Sequence, residues 1–246
     1  MYPKLKEKAL RAAREAGTPS FYIHHKKELD TSLSAYRASS IIRQCRTYLD
    51  ESELHPAHGI FHCEKVALEA GAILQIEGSA MGLDASRISE LMLCVQIAGL
   101  LHDIKRAEKD HTIAGSKEAG AIMRDFAIQE RYKGYIVSAI RNHEAFREVL
   151  DSEDESAKLI SDSLYDADKF RWGPDNFTVT LWLITESTGV SLERLYHSFT
   201  EKMEGIKKIK KTFRTKTGQK YGPEFIDKGI VIGNEIYSEM QLEIGG

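Results

Sequence analysis

Cysteine, proline and long apolar runs are all scarce in this chain, and each scarcity removes a class of protein. The three cysteines, Cys45, Cys63 and Cys94, are odd in number and form no Cys-x-x-Cys pair. Neither a disulfide framework nor a structural zinc site is indicated, and a reducing cytoplasm is the expected home. The longest apolar run, Leu91 to Leu101, is far too short to span a bilayer. The N-terminal stretch MYPKLKEKALRAAREAG is charged throughout and lacks the apolar centre of a secretory signal. A net charge of −3 argues against bulk affinity for nucleic acid or membrane, while leaving room for a local basic patch. Five prolines and few β-branched alternations point to a helical protein.

Apolar periodicity predicts helices over 4–16, 31–50, 59–77, 84–103, 111–128, 130–146, 157–170, 175–188, 191–204 and 224–241. No repeat, low-complexity linker or composition shift divides the chain, so one all-α domain is expected. The informative feature is where its ionisable residues fall. In 59–77 the stripe Val66, Ala70, Ile73 and Leu74 recurs at helical spacing, and His62 lies four residues before Val66. In 130–146 the stripe Ile136, Ala139 and Ile140 leads on to His143. In 157–170, Ile160 and Leu164 step to Asp168, and His111 opens a helix whose inner face includes Gly115, Ile122 and Phe126. His102 and Asp103 end the most apolar segment of all, in which Gln96 is the only strongly polar residue before them.

Four histidines and two aspartates on five helices thus point inward. One inward histidine is ordinarily a core residue with a single hydrogen bond. Six inward polar residues are different, because each unpaired buried carboxylate costs several kcal/mol, about as much as a domain can spare. A metal ion resolves the conflict: imidazoles and carboxylates ligate iron, manganese, cobalt or zinc, and the cation offsets the buried anions. His58 and His62 also form an HxxxH pair, but Gly59 stands where a zinc protease would need glutamate, so that reading fails. His62 shares a stripe with Val66 and is taken as a ligand, leaving His58 behind the ligands or facing the substrate. His24, His25, His55 and His197 lie in polar surroundings and are assigned structural or exposed roles.

The segments HCEKVALEA (62–70), AGLLHDIK (98–105), HTIAGSKEAG (111–120), SAIRNHEAF (138–146) and YDADKF (165–170) together resemble the HD superfamily of metal-dependent phosphohydrolases. The order His, His-Asp, His, His, Asp is similar to its six-ligand, two-metal subgroup. The resemblance covers about residues 58–171. It implies an all-α bundle with a central metal site, in which His62, His102, Asp103 and Asp168 hold the first ion. Asp103 would bridge to a second ion held by His111 and His143. The chain then divides into accessory N-terminal helices (1–57), the metal-binding core (58–171) and C-terminal helices packed on the same domain (172–246). One departure bears on the second ion. Lys105 stands where glycine commonly follows His-Asp-Ile, and only eight residues separate His102 from His111. If His111 and His143 are not ligands, a one-metal site remains and they contact substrate.

The resemblance implies hydrolysis of a phosphate ester or anhydride, in a nucleotide or another small phosphorylated metabolite, by a metal-activated water. Asp103, His102 and Asp168 are the expected catalytic centre, with one aspartate free to take the water's proton. His58, Lys105, Arg106, Lys169 and Arg171 are the candidate substrate contacts, Lys169 and Arg171 being the favoured pair. Trp172 and Phe177, in the turn RWGPDNF, either stack on a base or close a core. The basic stretch 207–225 is either a mobile loop or a flap over the metal cleft. Pro223 is expected to start a final helix with the stripe Phe225, Gly229, Gly233, Ile236 and Met240. Two other functions share this ligand set: a diiron oxygenase of the same superfamily, and a regulatory module that binds a nucleotide and uses metal only structurally.

Overall fold

Helices are the only regular structure among the described residues, which are 2–50 and 54–245 of a computed structural model. The expectation of an all-α protein holds. The N-terminal segment expected to end at 57 includes 51–53, which lie outside the described residues. α1 (Tyr2–Ala16) stops at Gly17, whose φ of +74° suits glycine and turns the chain into α2 (Ser20–His24). The helix expected over 31–50 is two, α3 (Lys26–Ala38) and α4 (Ser40–Arg46). Ser39 makes the break: its backbone is extended, and its hydroxyl accepts from the Ile42 amide at 3.2 Å as an N-cap.

A 3-10 turn (Pro56–His58) leads into α5 (Ile60–Ala80), followed by α6 (Ala85–Leu101) and α7 (His111–Ile122). Next come α8 (Glu130–Arg141), α9 (Glu155–Phe170), a π-turn (Asn176–Thr180), α10 (Leu181–Thr188) and α11 (Leu192–Ile209). α12 (Lys216–Gly245) closes the fold. It begins seven residues before Pro223, which lies inside it rather than at its start. Thr215 sets that earlier start, because its hydroxyl accepts from the Gly218 amide at 2.8 Å.

The core is built around α5, α6 and α9. α5 packs along α6 and against α9, while α8 lies on α6 and α9, and α7 packs on α8 with Gly115 close to the His102 carbonyl. α3 covers α5, and α1 and α11 flank α12, which reaches α9 and α5. From Leu91 to Leu101 every α6 residue except Leu93 is buried, and α9 is buried all round from Leu159 to Phe170. Such helices must satisfy their polar groups internally. Gln96 donates to the Ser32 carbonyl at 2.8 Å. On α9, Asp166 accepts from the Arg214 and Thr215 amides, both at 2.8 Å.

Gly99 lets α5 and α6 approach closely, since a Cβ there would lie 2.5 Å from the Ala67 Cα. The stripe expected on the last helix is observed: Phe225, Ile236 and Met240 are buried, with Gly229 against Gly173 and Gly233 against Met203 and Phe177. Among the described residues no helix is long and apolar enough to cross a membrane. The three cysteines are free and buried.

Candidate metal centre

Three of the inward residues reach the centre from outside the helices expected to carry them. α6 ends at Leu101, so His102 caps it and Asp103 lies in the turn that follows. α8 ends at Arg141, which places His143 in the loop after it. That loop is held by a reciprocal pair: Asn142 donates to the Leu150 carbonyl and accepts from its amide, each at 3.0 Å. His62 sits in the first turn of α5, His111 at the start of α7 and Asp168 near the end of α9.

These groups converge. His62 Nε2 and His102 Nε2 face each other at 3.2 Å. Asp103 Oδ2 lies 3.2 Å from His102 Nε2 and 3.7 Å from His62 Nε2. Asp168 Oδ1 lies 3.4 Å from His62 Nε2 and 3.7 Å from His102 Nε2. The other oxygen of Asp103, Oδ1, lies 3.4 Å from His143 Nε2 and 3.8 Å from His111 Nε2. One carboxylate therefore presents an oxygen to each of two histidine pairs.

The ring orientations are fixed from behind. His102 Nδ1 donates to the Gly99 carbonyl at 2.8 Å, and His143 Nδ1 donates to the Ile140 carbonyl at 2.7 Å. With Nδ1 protonated, each ring turns an Nε2 lone pair toward the centre, the tautomer a metal ligand needs. Two further observations fit a cation. Three sets, His58–His62–Asp103, His62–His102–Asp168 and His102–Asp103–His143, each bring their donor atoms within 4.8 Å of one another. Asp103 Oδ1 and His58 Nδ1 are also buried without a hydrogen-bond partner, although His58 Nδ1 lies only 2.7 Å from Asp103 Oδ2. The buried His/Asp cluster can thus hold a metal ion, through nitrogen and oxygen donors that suit iron, manganese, cobalt or zinc.

Charge in the cluster is distributed unevenly. Burial pushes the His62 imidazole down to about 4. Burial also acts to lower His102, but Asp103 and Asp168 outweigh it and raise that ring to about 10. For Asp103 and Asp168 burial acts to raise the carboxyls. His102 outweighs it at Asp103, Lys169 and the histidines do so at Asp168, and both carboxyls stay well below their usual range. His111 is pushed down to about 4, first by burial and then by Arg106, whose Nη1 donates to His111 Nε2 at 2.8 Å.

The expected substrate contacts separate into two kinds. His58 and Arg106 line a cavity of about 860 Å³ together with His62, Asp168 and Arg171. Lys105 and Lys169 do not line it. Lys169 is buried and donates to Asp168 Oδ2 at 2.5 Å. Arg171 touches the cavity but is committed behind it. It donates to Glu69 Oε2 at 2.5 Å and to the Tyr22 hydroxyl at 2.8 Å, and it pairs with Asp175. Tyr22 in turn donates to Glu69 Oε1 at 2.6 Å.

Glu69, Tyr22 and Asp175 hold Arg171 in the cavity wall, an arrangement that sequence reasoning missed. A glutamate inside an apolar helix stripe was the one available signal. Trp172 and Phe177 also line the cavity, Phe177 from within the core and Trp172 half-buried. None of residues 207–225 lines it. The stretch is the end of α11, a short connection and the start of α12, where Glu77 accepts from the Thr217 amide at 2.7 Å and its hydroxyl at 2.6 Å, so it is held in place and not the mobile loop or flap expected.

Of the four remaining histidines, His24, His25 and His197 lie apart from the cluster, while the His55 ring packs against that of His58 at 5.3 Å. His25 Nε2 contacts the Tyr221 hydroxyl at 3.1 Å, with His24 beside the same ring. His55 caps the 3-10 turn, and His197 is exposed. Comparison with protein-family models, curated proteins and solved structures found no match to this chain, so the chemistry of the centre is argued from its own geometry.

Proposed function

We propose that this protein is a metal-dependent phosphohydrolase of the HD type, cleaving a phosphate ester or anhydride of a small metabolite. The observation that carries the reading is the division of Asp103, with Oδ2 among His62 and His102 and Oδ1 among His143 and His111, beside a cavity deep enough for a substrate. His62, His102, Asp168 and Asp103 Oδ2 would hold one ion, and Asp103 Oδ1 with His143 and His111 a second. A divalent cation there supplies Lewis-acid charge, which makes water a competent nucleophile near neutral pH and offsets phosphoryl charge.

The chain's own groups do the rest. Asp103 and Asp168 stay ionised at neutral pH, so both present anionic oxygens to a cation. His102 and His143 keep their orientation through the Gly99 and Ile140 carbonyls. Of the cations near the centre, Arg106 is the best placed to meet a phosphate, because it lines the cavity and its visible partner is the neutral ring of His111. Arg171 helps to form the wall while its charge is met by Glu69 and Asp175.

The test has two arms. Metal content by mass spectrometry is expected to show stoichiometric transition metal in the purified protein and its loss in His102→Ala and Asp103→Ala. A panel of phosphorylated metabolites, assayed for phosphate release with manganese, cobalt or iron, is expected to give metal-dependent turnover. Substrate-dependent oxygen uptake in place of phosphate release would assign the centre to a diiron oxygenase instead.

A further inference from the structure

The cavity that begins at the cluster changes character as it leaves it. Its inner end is polar, with His58, His62, Asp168 and Arg106. Beyond Arg171 its wall is carried by the π-turn, α10 and α11, and is dominated by apolar side chains such as Trp172, Leu181, Ile184, Val190, Leu195 and Met203. Trp172, Leu181, Ile184 and Val190 remain only half-buried, so part of their apolar surface is left for an occupant.

The hydroxyls in this wall are largely committed to their own backbone. Thr185 donates to the Trp182 carbonyl at 2.9 Å, and Thr188 to the Ile184 carbonyl at 2.7 Å. Ser191 accepts from the Arg194 amide as the N-cap of α11. Asn176 and Thr180 are the remaining uncharged polar side chains there, and the charged ones, Arg194 and Lys202, are both exposed to solvent.

A nucleoside entering this chamber would bury the edges of a base and the hydroxyls of a sugar against carbon. Polar groups buried without partners cost free energy, which the buried part of the wall, away from the exposed Arg194 and Lys202, offers little means to recover. An apolar body has no such groups, and it gains from leaving water in proportion to its area. The cavity, at about 860 Å³, lies in the upper part of the usual range for small-molecule sites. It has room for a chain or ring system on the order of ten carbons in addition to a phosphate.

We infer that the substrate is an amphiphilic phosphate, whose phosphoryl group lies at the His/Asp cluster and whose apolar body fills the chamber between α10 and α11. This rests on the phosphohydrolase reading for the phosphoryl end, while the chamber is argued from its own lining. Gly205 offers a way to test the location. It lies on the wall in α11, and a Cβ built there meets nothing within 4 Å, so a large side chain can be added without a clash at its root.

The experiment is titration calorimetry of the full chain with manganese, using butyl, hexyl and octyl phosphate and adenosine monophosphate, with phosphate release followed in parallel. Affinity is expected to rise about fourfold for each added methylene, from the transfer free energy of a buried CH₂ group. Octyl phosphate should bind more tightly than the nucleotide, and Gly205→Phe should flatten the gain from butyl to octyl. Equal affinity along the alkyl series, or a nucleotide that binds as tightly as octyl phosphate, would overturn the inference. A chain-length gain that survives Gly205→Phe would overturn the placement of the apolar body.

The two readings fail separately. Chain-length-dependent binding with no phosphate released from any compound would sink the hydrolase and keep the chamber. Phosphate released from the nucleotide and butyl phosphate, with no chain-length dependence in binding, would do the reverse.

Discussion

Gly99→Ala adds one methyl group at the tightest crossing of α5 and α6, directly behind the cluster. A Cβ at this position would lie 2.5 Å from Ala67 Cα and 2.7 Å from Ala67 N. Non-bonded carbons rest about 3.5–4.0 Å apart, so the two helices must part by roughly 1 Å. Both obstructing atoms belong to a helix backbone, and no side-chain rotation relieves them. Overpacking of a core costs about 1–3 kcal/mol, and a backbone obstruction belongs at the upper end, about 3 kcal/mol. In a chain of this size that lowers Tm by roughly 6–12 °C.

The same displacement reaches the site. His62 rides on α5 and faces His102, just past α6, at 3.2 Å, and the carbonyl that orients His102 is that of Gly99 itself. Metal sites tolerate ligand displacements of only about 0.2 Å, so affinity should fall together with stability. Differential scanning calorimetry with and without manganese measures the first effect, and metal content after dialysis the second. A variant that melts within about 2 °C of the native chain and keeps its full metal complement would refute the argument that this crossing sets the ligand geometry.

Two further substitutions probe the supports of the site. Arg171→Met leaves Glu69 buried without its cation, and urea unfolding should show a loss of about 3–5 kcal/mol. The double variant Glu69→Met/Arg171→Met should recover much of that loss; a double variant as unstable as the single one would show that the pair is not the cause. Asp154→Ala removes the carboxylate that accepts from the Ser156 and Ala157 amides at the start of α9, at 2.8 and 2.9 Å, and should cost about 1 kcal/mol at neutral pH. Burial opposes ionisation of Asp154, but the Tyr135 hydroxyl and those amides outweigh it and hold the group below its ordinary 3.8. Its contribution is therefore present in full above pH 3.8 and is lost as pH falls through the lower folded-state value. The stability gap between native and Asp154→Ala proteins should close in acid, and a gap unchanged at pH 2 would contradict the assignment.

What the sequence could reveal was the set of residues that need compensation, and much less the direction in which each side chain points. His62, on its stripe with Val66, could be placed because helical spacing persists through α5. His143 was extrapolated along a helix that ends two residues earlier, yet it still arrives at Asp103. The loop holds it there through Asn142 and Leu150, a pairing without a periodic signature. His58 lies four residues before His62, but it ends the 3-10 turn, separated from α5 by the extended Gly59, and its Nδ1 approaches Asp103.

Lys169 and Arg171 illustrate the limit most clearly. Adjacency to Asp168 suggested that they serve the substrate. Lys169 instead folds back onto Asp168 itself. Arg171 meets Glu69 and Tyr22, which are 102 and 149 residues away along the chain. Charge pairs over such separations leave no local pattern to read. The basic stretch 207–225 is similar: its composition suggested mobility, and the partners that pin it, Asp166 and Glu77, lie on distant helices.

The cluster also has to remain electrically tolerable before any cation enters it. Two buried carboxylates share a space with five imidazoles, and His102, which like His62 lies between both carboxylates, is raised by them to about 10. The two carboxylates that favour positive charge at His102 are the same groups whose burial a cation would offset. The surroundings of His111 and His143 differ. His111 is already neutral, because burial and Arg106 push it down to about 4, and its Nε2 accepts from Arg106 at 2.8 Å. Arg106 also lines the cavity, so one side chain on the short link from Asp103 to His111 touches both the cluster and the cavity wall.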